Sequence, residues 1–469
     1  MSDPDHCREH ADVSTADIDQ AMAATIARAR SLHDIPIEEA GLPYRTLGHL
    51  LEEQAEVHEQ KIFLIFYGAD GQRREFTYRE IYEEACRTAN FFAGLGLRPG
   101  DRIATVDDNH PDLVIMYFAA FLLGASVVPI DPTFDDTAIA CILRTSRASH
   151  ACVRDTYLGR ITALREHAPS CRTIVQVGTR LRQDLPHVQS DAARLSTRFR
   201  PERIIGAVDE ALVMYSCPPS GKPKGVVLEH VNLLSEALAI GEWHRLSGDQ
   251  RLMCILPVHH VKGIVLSLIT PLAAGGGVVL TRSFQAEKFF ERIAADRITV
   301  VSTDPGLLEA LLHAKLSVDA YRLAHLRHLI CGAGPLTVEL VQRFETIFKR
   351  PVIHAYGLSE ATACSCCVPV DLPPGEHKQW LTRHAHASVG MPLPVNEVTV
   401  LDGEGKETEE GQSGEIGVRG HNVMRCYDAD PEATRAAFRN GWFMTGDMGS
   451  WKYDGEGRKY FFVEGRKGN

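Results

Sequence analysis

The sequence predicts an α/β protein built largely on parallel sheets, with a smaller β-rich part toward its C-terminal end. Three observations carry this. Strand-like and helix-like segments alternate through most of the chain, the pattern left when helices cross over between parallel strands. From about Ser388 the texture changes to short strands and turns, VGMPLPVNEVTVLDGEGKE and GQSGEIGVRG. Finally, 469 residues with an apolar fraction of 44% make two or three packed units at roughly 150 residues each.

Taken in order, residues 1–40 read as an N-terminal extension. Its start, MSDPDHCREHADVSTADID, is acidic and polar with no apolar core, unlike a signal or transit peptide. An α/β unit over 41–210 begins with amphipathic helices at Thr46 to Gln54 and Tyr78 to Leu95, the second entered through Thr77. Arg102 to Val106 and Ala151-Cys152-Val153 read as strands. Leu113 to Ile130 carries no charge and nears the lower length limit of a membrane span. Gly124 and Pro129 interrupt it, so the expectation is a buried helix, a glycine break and a short buried strand, with no membrane span. A second α/β unit over 211–387 should hold a helix from Val226 to Ala239, buried strands at Val278 to Leu280 and Val300-Val301, and a turn at Gly332-Ala333-Gly334-Pro335. Thr337 then caps the helix ELVQRFETIF. The β-rich part covers 388–464, and 465–469 (GRKGN) read as the start of a hinge.

Charge and cysteine usage narrow the function. Lys and Arg total 50 against 61 Asp and Glu, a net charge of −11, which argues against nucleic acid as a partner. Twelve cysteines spread over this length, with no C-x-x-C pair matched to histidines, suit a reduced, cytoplasmic setting.

The segment Tyr215 to Val226 (YSCPPSGKPKGV) is the most informative. It is a hydroxyl-rich turn with glycines and two lysines, following the strand ALVMYS. Backbone N–H groups and hydroxyls facing oxygens, with lysines to neutralise charge, are what a polyphosphate requires. It is not the kinase and GTPase loop, because G-x-x-x-x-G-K-S/T is not met. Three further motifs follow: His354-Ala355-Tyr356-Gly357-Leu358-Ser359-Glu360, then GHNVMRCYDADPEATRAAFRNGWFMTGD from Gly420 to Asp447, then Gly465-Arg466.

This ordered set resembles the adenylate-forming (ANL) superfamily of acyl-CoA synthetases, adenylation domains and luciferases, from about Thr46 onward. The resemblance implies two α/β subdomains packed face to face with a smaller distorted β-barrel. It implies activation of a small carboxylic acid by ATP and Mg²⁺ as an acyl-adenylate, followed by transfer to a thiol of CoA or of a carrier-protein phosphopantetheine. Carried over residue by residue, Ser216, Ser220, Gly221, Lys222, Lys224 and Gly225 would lie over the β- and γ-phosphates. Gly332, Ala333 and Gly334 would line the adenine site with Gly357 nearby, and Tyr356 would stack on the base. Ser359 would touch the α-phosphate, Glu360 would hold Mg²⁺, and Asp447 and Arg466 would bind the ribose hydroxyls. In Pro257-Val258-His259-His260 the last residue would gate the carboxylate pocket, which His259, Lys262, Gly263, Thr303, Gly332 and Leu358 would help to line. Two anions must meet in such a reaction, so cations and metal at the α-phosphorus are its physical requirement.

Taken alone, His259 and His260 would be packed or surface histidines. Lys262 would be a solvated loop lysine rather than a substrate contact, and Cys364, Cys366 and Cys367 would be small buried thiols rather than metal ligands. The sequence departs from the family in three places. Cys217, Pro218 and Pro219 replace the first residues of the phosphate loop, and proline has no N–H to donate. This weakens the expected ATP site and leaves a non-catalytic nucleotide-binding member as the alternative. Gly468 stands where the hinge residue is expected. The small C-terminal domain of the family is not in the sequence, so low activity is expected of the chain as it stands.

Overall fold

The computed structural model describes residues 19–179, 182–216, 222–318 and 321–467. Among these, three sheets organise the chain. The first has seven strands, in the order Cys426–Tyr427, Lys224–Glu229, Glu210–Ser216, Ser126–Pro129, Arg102–Val106, His150–Arg154 and Thr173–Val177. From Glu210–Ser216 onward the neighbours are parallel, while Lys224–Glu229 closes an antiparallel hairpin on Glu210–Ser216. The second sheet has nine strands, and at its middle Val352–Tyr356, His328–Cys331, Val300–Thr303, Arg251–Cys254, Gly277–Thr281 and Ile62–Tyr67 run parallel. The third is antiparallel and runs from Asn396 to Arg466. Register shifts at Glu415/Gly417 and Met448/Gly449 bend its strands, because an extra residue on one side increases the local twist and curls the sheet. The α/β expectation with a separate β-rich part is met.

Sheet membership does not follow chain order. Ile62–Tyr67 and the adjoining Arg73–Thr77 lie in the same sheet as strands that begin only at Arg251. Cys426–Tyr427 returns to pair with Lys224–Glu229 in the first sheet.

The uncharged stretch resolves as expected. His110 caps a helix over Pro111–Leu123, Gly124 ends it in the left-handed region at φ +82°, and Ser126–Pro129 is a fully buried strand. Eleven of its residues are buried, on every side, so it is a core helix. Phe118 and Phe121 are almost wholly enclosed, each contributing about 1.5–3 kcal/mol of burial. No helix among the described residues is long and apolar enough to cross a membrane. Thr77 and Glu80 form a reciprocal cap for the helix Tyr78–Gly94, and Thr337 caps Val338–Phe348.

One expected helix is corrected. Val226-Val227-Leu228 lies in a strand, and the helix begins only at His230 and runs to Trp243. The β-branched pair and leucine pack as a hairpin edge against Glu210–Ser216. Asn232 Oδ1 then accepts from the Glu229 N–H at 2.8 Å to start the helix.

Candidate active site

Ligands of open parallel sheets collect beyond the carboxyl ends of the strands. Four adjacent strands of the nine-stranded sheet end together here. Arg251–Cys254 runs on into Leu256 and Pro257, Val300–Thr303 into Asp304, His328–Cys331 into Gly332, and Val352–Tyr356 into Gly357 to Ser359. Over these ends lies a cavity of about 490 Å³. His260, Lys262, Gly263, Gly332, Ala333, Gly357, Leu358 and Ser359 all line it, together with Leu256, Leu266, Asp304 and Cys364.

Close approach explains the glycines. A Cβ on Gly263 would come within 2.2 Å of the Pro257 carbonyl oxygen, and one on Gly357 within 2.1 Å of the Ala363 carbonyl oxygen. Only glycine lets these backbones meet behind the cavity wall. The helix that starts at Val261 loosens into a π-turn over Val265–Ile269, a local distortion often found at functional sites.

Lys262 is not the solvated lysine expected of a loop. It is only 9% exposed, and Nζ donates to the Thr303 carbonyl at 2.7 Å. Burial lowers its pKa from the ordinary lysine value. Thr303 is fully buried, and neither it nor His259, both expected to line the pocket, is among the residues that line the cavity. His259 is buried and His260 has a side chain 54% exposed, and both point Nε2 at Asp131 Oδ2, at 3.4 Å and 3.8 Å. Burial alone would raise the Asp131 pKa. Hydrogen bonds from His259 and Thr133 outweigh it and hold the carboxyl well below its usual range.

Two further groupings flank the cavity. The Tyr356 hydroxyl donates to Asp447 Oδ2 at 2.6 Å, and Arg466 Nε reaches Asp447 Oδ1 at 2.9 Å. Register holds this pair, since Asp447 and Arg466 are directly opposite across two antiparallel strands. Burial, then the neighbouring carboxylate, push the Tyr356 phenol well above its ordinary value. Each carboxylate oxygen has a second lone pair, so Asp447 keeps capacity to accept from a ligand hydroxyl.

The second grouping is centred on Glu360, in the single turn Ser359–Ala361. Tyr427 donates its hydroxyl to Glu360 Oε1 at 2.8 Å, and Lys224 Nζ sits 5.2 Å from the Tyr427 ring centroid. Burial, then Glu360, raise the Tyr427 phenol pKa. One half-exposed carboxylate with an oxygen to spare suits Mg²⁺, which keeps several waters and takes few protein ligands beside phosphate.

Around the turn that follows Glu210–Ser216, Ser216 pairs with Lys224 at the mouth of the hairpin, and Ser216, Lys222 and Lys224 are exposed. Ser220 and Gly221, and with them Cys217, Pro218, Pro219 and Gly468, lie outside the described residues. Gly225 is buried, and a Cβ there would come within 2.9 Å of the Tyr215 ring and 3.0 Å of Asp428 Cβ. Gly334 packs near Pro305, outside the cavity lining. Cys364, Cys366 and Cys367 are buried thiols.

Tyr427 and Asp131 were not singled out from the sequence. Tyr427 stands inside the conspicuous CYDADPEAT run, but its partner is 67 residues away in the chain. Asp131 carries only the weak signal of an acid after a buried strand.

Residues 51–428 match the AMP-binding enzyme family. The long-chain-fatty-acid–CoA ligase of Bacillus subtilis (strain 168) is 26% identical over 470 residues, covering 93% of this chain and 79% of that protein. The feruloyl-CoA synthase of Amycolatopsis sp. is 30% identical over 399 residues, covering 83% of this chain and 73% of that protein. Among solved structures, ATP-bound MatB from Rhodopseudomonas palustris is 26% identical with a TM-score of 0.78, over 90% of this chain and 78% of that one.

Proposed function

The chain belongs to the AMP-binding enzyme family, and from that membership we propose that it activates a small carboxylic acid with ATP and passes the acyl group to the thiol of CoA. A carrier-protein phosphopantetheine is the other acceptor that the chemistry allows. The relatives named as CoA ligases and CoA synthases support acyl activation followed by CoA transfer. One observation carries the reading to this chain's own residues. Ser359, on the wall of the enclosed cavity, is followed directly by Glu360, so the acid's cavity and the proposed nucleotide residues share one turn.

In the first half-reaction a carboxylate oxygen bonds to the α-phosphorus of ATP as the bond to pyrophosphate breaks. In the second, a thiolate bonds to the acyl carbon and AMP leaves. The Ser359 hydroxyl, on the cavity wall, would donate to an α-phosphate oxygen. Tyr356 and Arg466 hold Asp447 in one orientation, where it can accept from ribose hydroxyls. Lys224 offsets phosphate charge. Glu360 would hold Mg²⁺, which when bound neutralises charge on the phosphates and polarises the α-phosphorus. His260 lines the cavity with its side chain half-exposed, where it can open or close the way for the acid.

The test is ATP–pyrophosphate exchange across aryl, short-chain and long-chain acids, with pyrophosphate rather than phosphate as the released product. Exchange with any acid supports the reading. AMP binding with no exchange for any acid would instead support the non-catalytic alternative that Cys217-Pro218-Pro219 raises, and release of phosphate would overturn both.

A further inference from the structure

Lys262 is the one lysine on the cavity wall, and its setting is unusual for an ammonium. It is nine-tenths buried among Val261, Leu266 and Gly332, and among the described residues Thr303 O is its hydrogen-bond acceptor. An ammonium has three donors, so two remain to be satisfied. No carboxylate among the described residues lies within ion-pairing distance of it. The nearest acid in sequence to Thr303, Asp304, instead uses Oδ1 to cap the helix Pro305–His313, accepting from the Leu307 N–H at 2.8 Å. A Cβ on Gly332 would stand 3.5 Å from Nζ, which places the head at the carboxyl end of the His328–Cys331 strand, at the cavity floor. Burying such a group with donors unpaired is costly, and the polar residues that share the wall with it, His260, Asp304, Ser359 and Cys364, make no hydrogen bond to Nζ.

From this geometry we propose that the acid accepted by this cavity carries a second oxygen acceptor, a carboxylate or a hydroxyl, and that the Lys262 ammonium binds it. The inference rests on the acyl-activation reading above and names the substrate class for the same site. An added oxygen on the acid would take up the idle donors. A purely alkyl or aryl acid would leave them buried and unpaired, and sites built to hydrogen-bond a substrate group discriminate strongly against analogues that lack it. A carboxylate gains most, because a charge-assisted bond is shorter and stronger than a neutral one.

The experiment uses the full chain and three pairs of acids matched in size: 3-methylbutanoate with propanedioate, 5-methylhexanoate with pentanedioate, and 4-methylbenzoate with 4-hydroxybenzoate. Two readouts are taken for each, the Kd by calorimetry in the presence of AMP and the rate of pyrophosphate release with ATP. The oxygenated member of at least one pair should bind at least tenfold tighter, and Lys262→Met should shrink that ratio to within about twofold. Lys262→Met keeps the length and burial of the side chain. If it fails to fold, the wild-type ratios alone decide. Equal or tighter binding of the plain acid in all three pairs would overturn the inference, as would a Lys262→Met protein that weakens every acid equally, because that would place Lys262 on the reacting carboxylate instead. A tenfold preference in Kd with no pyrophosphate released from any acid would overturn the acyl-activation reading and leave the pocket's preference standing.

Discussion

Glu360 accepts the Tyr427 hydroxyl on one of its two oxygens, and that contact makes the carboxylate's orientation a property of two residues rather than one. Glu360→Gln should abolish pyrophosphate exchange while leaving the melting temperature within a few degrees, since the amide keeps the shape and loses the anion that the metal needs. Undiminished exchange at saturating Mg²⁺ would refute the assignment. Tyr427→Phe is the subtler variant. It removes a hydrogen bond to a charged group, worth about 1.5–3 kcal/mol, so exchange should fall by roughly tenfold or more. A wild-type rate would show that the phenol is a bystander. Gly332→Ala tests the cavity floor, because its methyl would come within 2.3 Å of the Ala355 carbonyl oxygen. Overpacking of this kind costs about 1–3 kcal/mol, and chemical denaturation should show it. Gly263, Gly332, Gly357 and Ser359 on the cavity wall, and the Tyr356–Asp447–Arg466 grouping, could be picked from the sequence because each residue sits in a short local motif. Tyr427, Asp131 and the burial of Lys262 could not, since each depends on what another part of the chain brings alongside.

At the scale of elements, the caps and breaks were legible and the hairpin was not. Thr77, Thr337 and Gly124 act on their immediate neighbours, so their residue types suffice to mark a helix start or end. Val226-Val227-Leu228 suits a helix or a strand equally by pattern, and the pairing with Glu210–Ser216 decides it. Gly124 offers a direct test. Its φ is +82°, and a Cβ there would come within 2.3 Å of Ile205 Cδ1. Gly124→Ala should therefore destabilise the protein by about 1–3 kcal/mol through backbone strain and the clash together. A melt unchanged from wild type would mean that the helix end and the Ile205 contact are softer than drawn.

Across the whole molecule, buried titrating groups set a pH window for stability. Burial lowers His230 and His354 to about 4 and His328 to about 3, from an ordinary 6.5. Between those values the unfolded chain binds more protons than the folded one, so stability falls as pH drops below about 6.5. Glu236 works in the opposite direction, because burial raises it from 4.5 to about 8. The folded chain holds that proton longer, so its contribution is lost as pH rises from 4.5 through 8. Each group changes stability by at most about 1.4 kcal/mol per pH unit, and three histidines against one glutamate make the acid side the steeper. Denaturation midpoints should fall sharply from pH 6.5 to 5 and gently from 7 to 8, and Glu236→Gln should remove the gentle alkaline slope. A midpoint flat below pH 6.5 would show that these histidines are not held neutral. The mixed order of strands has a consequence in time. Ile62–Tyr67 must wait for Gly277–Thr281 before it has its parallel neighbour, and Lys224–Glu229 stays a bare edge until Cys426–Tyr427 arrives. Long-range closures of this kind slow folding and leave unpaired edges exposed meanwhile. A nascent chain leaving the ribosome therefore carries sticky, half-made sheets until Cys426–Tyr427 has emerged, and it should depend on chaperones in proportion to how slowly the stretch between Glu229 and Cys426 is delivered.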